Sequence, residues 1–160
     1  MNQSRSAVRW LWCSLAVLLC DQLTKWLAFE HLQYRLVKVL PVLNFSLALN
    51  RGAAFSFLSN AGGWQMVFFS LLALVVSVAI VVWLLRMPAH KRLQALALSL
   101  VLGGALGNMI DRVRFGYVID FIDFHIGSWH YATFNVADIG ICVGAFLLVV
   151  NALFFKREIA

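Results

Sequence analysis

Charge is scarce in this sequence. Only 12% of its 160 residues are Asp, Glu, Lys or Arg, against roughly 25% in soluble domains. Acidic residues are scarcer still, seven against 13 Lys and Arg. With 62% hydrophobic residues, a soluble protein would need several core helices apolar on every side and little left to cover them. Cysteine is also rare. Cys13, Cys20 and Cys142 all fall in apolar stretches, where they are expected to be buried, forming no disulfide framework and no pair with metal-ligand spacing. His31, His90, His125 and His130 lack a metalloprotease signature. No convincing nucleophile motif pairs a Ser with Lys or His, and the glycine-rich "GGALG" at 103–107 lies inside an apolar run rather than in a phosphate loop. No repeat, low-complexity run or linker marks a second domain. No basic stripe with interleaved aromatics accompanies the net charge of +6, which argues against nucleic acid.

What the sequence has in abundance is long apolar runs. Four stand out: Trp10–Phe29, Trp64–Leu85, Leu93–Ile110 and Phe134–Phe155. At about 1.5 Å rise per residue, each reaches across a hydrocarbon core of roughly 30 Å. Arg5 and Arg9 before the first run resemble a secretory signal, and "AVLLC" at 16–20 resembles a lipoprotein processing site. However, Leu19 stands where a small residue is required, and the apolar run continues to Phe29, so the expectation is an uncleaved first span.

Lys and Arg then set the orientation. Residues 1–9, 86–92 and 156–160 carry seven of them in 21 positions, whereas 30–63 and 111–132 carry five in 56. The positive-inside rule places both termini in the cytoplasm and the two long loops outside. In the first loop, "LNFSLALN" (43–50) alternates apolar and polar residues with period two, the pattern of a strand with one apolar face. Asn50-Arg51-Gly52 offers a turn, and "AAFSFL" (53–58) a returning strand. The second loop carries Tyr117, Phe121, Phe124, Trp129 and Tyr131, which suit the headgroup layer. The expected class is an all-α membrane protein in one integral domain, 1–160. It is a four-transmembrane-helix bundle with a small extracytoplasmic β-hairpin and an interfacial segment between the third and fourth helices.

Polar groups at membrane depth are costly and therefore candidates for function. Asp21 and Lys25, four apart, share a helix face. Ser99, Gly103 and Gly107 form a small-residue row that Asp111 continues, with Asn108 and Arg112 beside it. This predicts close helix packing, with the outer end of the third helix near the fourth, and a capping role for the polar trio, with Arg112 paired to a carboxylate. Asp138 lies in the first turns of the fourth span, one turn after Asn135, where a carboxylate is favoured by the helix dipole. Asp120 lies in the preceding connection, within reach of it, while Asp123 reads as a bystander at the headgroup layer. Two close carboxylates share a proton, so that one activates a water while the other polarises a carbonyl. A proton-coupled transporter also uses intramembrane carboxylates, and spacing alone leaves both readings open.

Five motifs in order, "DQLTK" (21–25), "NRGAAFS" (50–56), "GGALGNMIDR" (103–112), "GYVIDFIDF" (116–124) and "FNVAD" (134–138), resemble the lipoprotein signal peptidase (signal peptidase II) family over nearly the whole chain. The resemblance implies an intramembrane aspartyl protease of the bacterial cytoplasmic membrane. Such an enzyme removes the signal peptide from prolipoproteins whose lipobox cysteine carries diacylglycerol. It implies Asp120 and Asp138 as the catalytic pair, supported by Asp21, Lys25, Asn50, Arg51, Asn108, Asp111, Arg112 and Asn135. It further implies a β-cradle and a helix on the outer face, action as a monomer among membrane lipids, no cofactor or metal, and inhibition by globomycin.

Overall fold

A computed structural model describes residues 7–33, 35–52 and 63–154. A 3-10 turn (Ala7–Trp10) leads into α1 (Leu11–His31). Two strands follow, β1 (Leu36–Leu40) and β2 (Leu43–Asn50), then α2 (Trp64–Arg86) and α3 (Arg92–Phe115). After α3 come β3 (Val118–Ile126) and β4 (Trp129–His130), and α4 (Val136–Phe154) completes the order.

The helix ends have local causes. α2 stops where Met87 turns extended ahead of Pro88, because the proline ring disfavours the helical conformation in the residue before it. α3 ends at Gly116, whose left-handed conformation (φ 74°) directs its N–H to the Arg112 carbonyl at 3.0 Å. α3 thus runs five residues past the expected end at Ile110, so Asn108, Asp111 and Arg112 lie within the helix and Gly116 takes the capping role expected of them.

The bundle is inside-out relative to a soluble protein. Val67, Leu71, Val75 and Val78 of α2 are exposed, while Asp21, Lys25, Ser99, Asn108 and Asp111 are buried. Among the described residues, α2, α3 and α4 are long and apolar enough to cross a membrane; α1 is interrupted by Asp21, Gln22 and Lys25. Cys20 and Cys142 are exposed and Cys13 is partly so, all as free thiols. The expectation that they are buried fails because each lies on an outward helix face. An apolar cluster of Ala7, Ile80, Leu84, Met87, Ala95, Leu98 and Leu102 joins α2 to α3 at the end opposite the sheet.

The small-residue row packs against α1 as well as the expected α4. A Cβ on Gly103 would lie 2.6 Å from the Ser14 carbonyl, and one on Gly107 2.5 Å from Asp21 Oδ2 and 3.3 Å from Ala137 Cβ. Gly104, one position along, packs against the Ala137 carbonyl of α4.

The non-helical part is a four-stranded antiparallel sheet in the order β1-β2-β3-β4. It sits where α1 and α3 finish and α2 and α4 begin. β2 is the strand expected from its alternation, but its partners are β1 before it and β3 from the second loop; the expected returning strand at 53–58 lies outside the described residues. The mostly helical class with a small β element is as expected, but the sheet has four strands and takes in the connection between α3 and α4, which the sequence reading left as an interfacial segment. β3 escaped recognition because it is buried along both faces of its first half, which erases the period-two pattern. Phe121, expected at the headgroup layer, packs with Ala28 of α1 and Leu32 just beyond its end.

If the α3–α4 contact is as close as Gly104 requires, Gly104→Ala overpacks it and lowers stability by about 1–3 kcal/mol. Gly140→Ala, whose added Cβ would meet Val17 and the Leu100 carbonyl at 3.1 and 3.2 Å, costs less. Thermal denaturation of the two variants in detergent compares them directly.

Candidate active site

The site is built outward from a buried ammonium group. Lys25 Nζ lies 2.8 Å from Asp21 Oδ2 and 2.9 Å from Asp111 Oδ2, and donates to Asn108 Oδ1 at 2.9 Å. These three acceptors match its three protons. Lys25, Asp21 and Asp111 are at most 2% exposed. Gln22, which the sequence reading passed over, donates from Nε2 to Asp111 Oδ1 at 3.0 Å. Its signal was available, since it is a third polar residue in the same apolar run. The second Asp111 oxygen also accepts the Ile119 N–H at 3.1 Å, fixing the start of β3 to α3.

The start of α4 is tied to this cluster. Asp21 Oδ1 accepts the Ala137 N–H at 2.8 Å, so a carboxylate of α1 satisfies a free donor in the first turn of α4. Asn135 and Asp138 cap that turn reciprocally. Asn135 Oδ1 accepts the Asp138 N–H at 2.9 Å, and Asp138 Oδ2 accepts the Asn135 N–H at 3.3 Å, the two-way arrangement of a capping box.

Two asparagines connect the candidate carboxylates. Asn108 Nδ2 donates to Asp138 Oδ1 at 2.7 Å while its oxygen faces Lys25. Asn135 Nδ2 donates to Asp120 Oδ1 at 2.6 Å, and also lies 3.1 Å from Asn108 Oδ1 and 3.3 Å from the Ile119 carbonyl. Asn50, at the end of β2, donates to the other Asp120 oxygen at 3.1 Å. Asp120 is thus held from both sides, by an amide of the sheet and an amide of α4. Burial, and then repulsion from the Asp138 carboxylate, pushes the Asp120 carboxyl up from its ordinary 3.8 to about 7, against the opposing hydrogen bonds from Asn50 and Asn135.

Both carboxylates line one cavity of about 430 Å³, together with Asn50, Asn108, Arg112 and the segment Tyr131–Phe134. The rest of its wall is apolar, including Ile139, Ile141 and Val143 of α4. Arg112 reaches the Gly52 carbonyl at 3.3 Å and the Asn108 carbonyl at 3.4 Å, with its guanidinium 5.4 Å from the centre of the Phe69 ring. Among the described residues its hydrogen bonds go to carbonyls, not to the carboxylate expected from the sequence. Arg51 is exposed and does not join the carboxylate network.

Asp123 departs from the expected bystander at a surface where charge costs little. It is 5% exposed, accepts from Asn44 Nδ2 at 3.1 Å, and lies 2.8 Å from His130 Nδ1. Burial raises its carboxyl, but the bonds from His130 and Asn44 prevail and hold it below the ordinary 3.8.

The chain was compared with known proteins. Residues 13–154 match the family model for signal peptidase (SPase) II. It is 55% identical to a lipoprotein signal peptidase of Coxiella burnetii, over 95% of this chain and 94% of the relative. The identity to the protein of the same name in Hydrogenovibrio crunogenus is 51%, covering 98% and 92% of the two chains. A solved bacterial membrane enzyme superposes with a TM-score of 0.83 at 30% identity, covering 95% of this chain and 93% of that one.

Removing the ammonium tests how far the site depends on it. Lys25→Met leaves two buried carboxylates without a cation, and a loss of about 3–5 kcal/mol is expected. Adding Asp21→Asn and Asp111→Asn to Lys25→Met removes the stranded charges and recovers much of that loss. Unfolding free energies of the single and triple variants measure both effects.

Proposed function

The chain belongs to the signal peptidase II family, and from that premise we propose that Asp120 and Asp138 form the catalytic pair of an aspartic endopeptidase that removes signal peptides from lipoproteins. The observation that carries the assignment is the shared cavity. Two carboxylates from different elements border it, held by three asparagine amides, with one carboxyl raised to about 7.

The substrate is a prolipoprotein whose cysteine carries diacylglycerol, cut just before that cysteine. Asp120, raised by burial, holds the proton and polarises the scissile carbonyl. Asp138, ionised beside the amides at the start of α4, takes a proton from water as the water oxygen adds to the carbonyl carbon. The tetrahedral species collapses as that proton passes to the leaving amine. The pair titrates jointly, so the two roles are defined together. Asn135 and Asn108 orient the carboxylates. Asp21, Lys25 and Asp111 hold α1, α3 and the start of α4 together, while Asn50 and Arg112 shape the cleft. Arg51, exposed beside the cleft-forming end of β2, is positioned for the substrate chain.

All four helices span the bacterial inner membrane, α1 included. Its 21 residues reach about 31 Å, and its polar groups are buried among α3 and α4 rather than facing lipid. Both termini are cytoplasmic and the cleft opens at the outer leaflet, as the distribution of Lys and Arg supports. The apolar cavity wall keeps the substrate's lipid chains continuous with the bilayer. The enzyme acts as a monomer without a cofactor, and globomycin blocks the cleft. A proton-coupled transporter would move substrate or protons across liposomes and be indifferent to globomycin.

Asp120→Asn and Asp138→Asn should each lower turnover of a lipidated prolipoprotein in detergent by about 10²–10⁴-fold. Near-normal turnover by either folded variant would remove it from the pair. The raised Asp120 carboxyl also sets a pH limb. Its protonated form persists to about pH 7, so kcat/KM should fall above that value, by about tenfold per pH unit. A pH profile of kcat/KM reads this out.

A further inference from the structure

We propose that Asp123 and His130 form a positioning latch that fastens β4 to β3 and thereby sets the Tyr131–Phe134 wall of the catalytic cavity. The inference rests on the reading of that cavity as the substrate cleft.

The placement follows from strand geometry. Asp120 and Asp123 are three residues apart on one strand, so they point to opposite faces. Asp120 faces the cavity, and Asp123 faces away from it. Register puts Asn44 of β2 opposite Asp123 and His130 of β4 opposite His125. The ring centroids of His125 and His130 lie 5.2 Å apart in a stacked pair, and His130 Nδ1 reaches diagonally to both Asp123 oxygens, at 2.8 and 3.1 Å.

β4 has little else to hold it. It comprises two exposed residues, far short of a self-sustaining strand. Immediately after it the chain becomes the cavity wall. Tyr131 N–H bonds the Phe124 carbonyl at 2.8 Å and Phe134 N–H bonds the Ile122 carbonyl at 3.0 Å. Between them, Ala132 and Thr133 line the cleft. A displacement of His130 is therefore carried directly into the wall, while Asp120 and Asp138 keep their own asparagine partners.

His130 and Asn44 are the two side-chain partners of the buried Asp123 carboxylate among the described residues. The charged groups around the pair are few. His125 shares β3 with Asp123, and Lys38 of β1 lies opposite Asn44, two strands from Asp123 on the same face. Glu30 and His31, on the end of α1 that packs near Phe121, are exposed and form no ion pair with either partner among the described residues. The wall is thus tied to β3 at its start by the contact of His130 with Asp123.

Steady-state cleavage of a lipidated prolipoprotein tests the proposal. His130→Ala should raise KM three- to tenfold and leave kcat within about twofold. The double variant Asp123→Ala/His130→Ala should be no worse than the more severe single variant, because the two residues act as one unit. His130→Asn, which places an amide donor near the Nδ1 position, should restore most of the affinity. An unchanged KM in folded His130→Ala, or additive effects in the double variant, would each overturn the latch. The same assay with Asp138→Asn separates the two readings, since retained turnover there removes the dyad rather than the latch.

Discussion

A single ammonium group in an apolar interior organises this protein. Lys25 Nζ is enclosed by Asp21, Asp111 and Asn108 at 2.8–2.9 Å. A charge this deep is tolerable only when it is paired and every proton has an acceptor. Each acceptor then has a second duty. Asp21 holds the first turn of α4, Asp111 holds the start of β3, and Asn108 turns its amide nitrogen to Asp138. Four segments, α1, α3, β3 and the start of α4, converge because one cation has to be satisfied.

The candidate carboxylates are the outermost ring of this arrangement. Asn108 and Asn135 pass the constraint outward, since an asparagine offers a donor and an acceptor from one rigid amide. Asn108 presents its oxygen to the ammonium and its nitrogen to Asp138; Asn135 caps α4 with its oxygen and holds Asp120 with its nitrogen. The geometry at the cavity thus has little freedom of its own. It is inherited from the buried cluster, as preorganised electrostatics requires.

The sheet has a different part in this. The helices deliver Asp138, Asn108 and Asn135, whereas β3 delivers Asp120 and β2 delivers Asn50. The cavity lies where bundle and sheet meet, apolar toward α4 and polar toward the strands. That is a suitable boundary for a substrate with a signal helix in lipid and a peptide bond at the interface. The opposite face of β3 carries Asp123, so one strand presents Asp120 to the cavity on one side and contacts β4 on the other.

Much of this was legible in residue order. Apolar runs marked α2, α3 and α4 nearly to their ends, because membrane helices are apolar throughout and need only length. The alternation in 43–50 marked β2, and isolated polar residues in apolar surroundings marked Asp21, Lys25, Asn108 and Asp111. Other features were hidden. β3 looked like an aromatic loop, since burial on both faces removes the alternation that announces a strand. The small-residue row announced the contact with α4 but not the equally close one with α1, because the same glycines admit a neighbour on either side. Asp123 looked dispensable, as its burial depends on strands far apart in sequence. Composition and local pattern settled which residues must leave water and which must find partners, since transfer energies belong to the side chains themselves. Which partner each one found, and that Asp120 and Asp138 border one cavity, depended on the packing of three helices and a sheet around Lys25, since those distances exist only between segments remote in the chain.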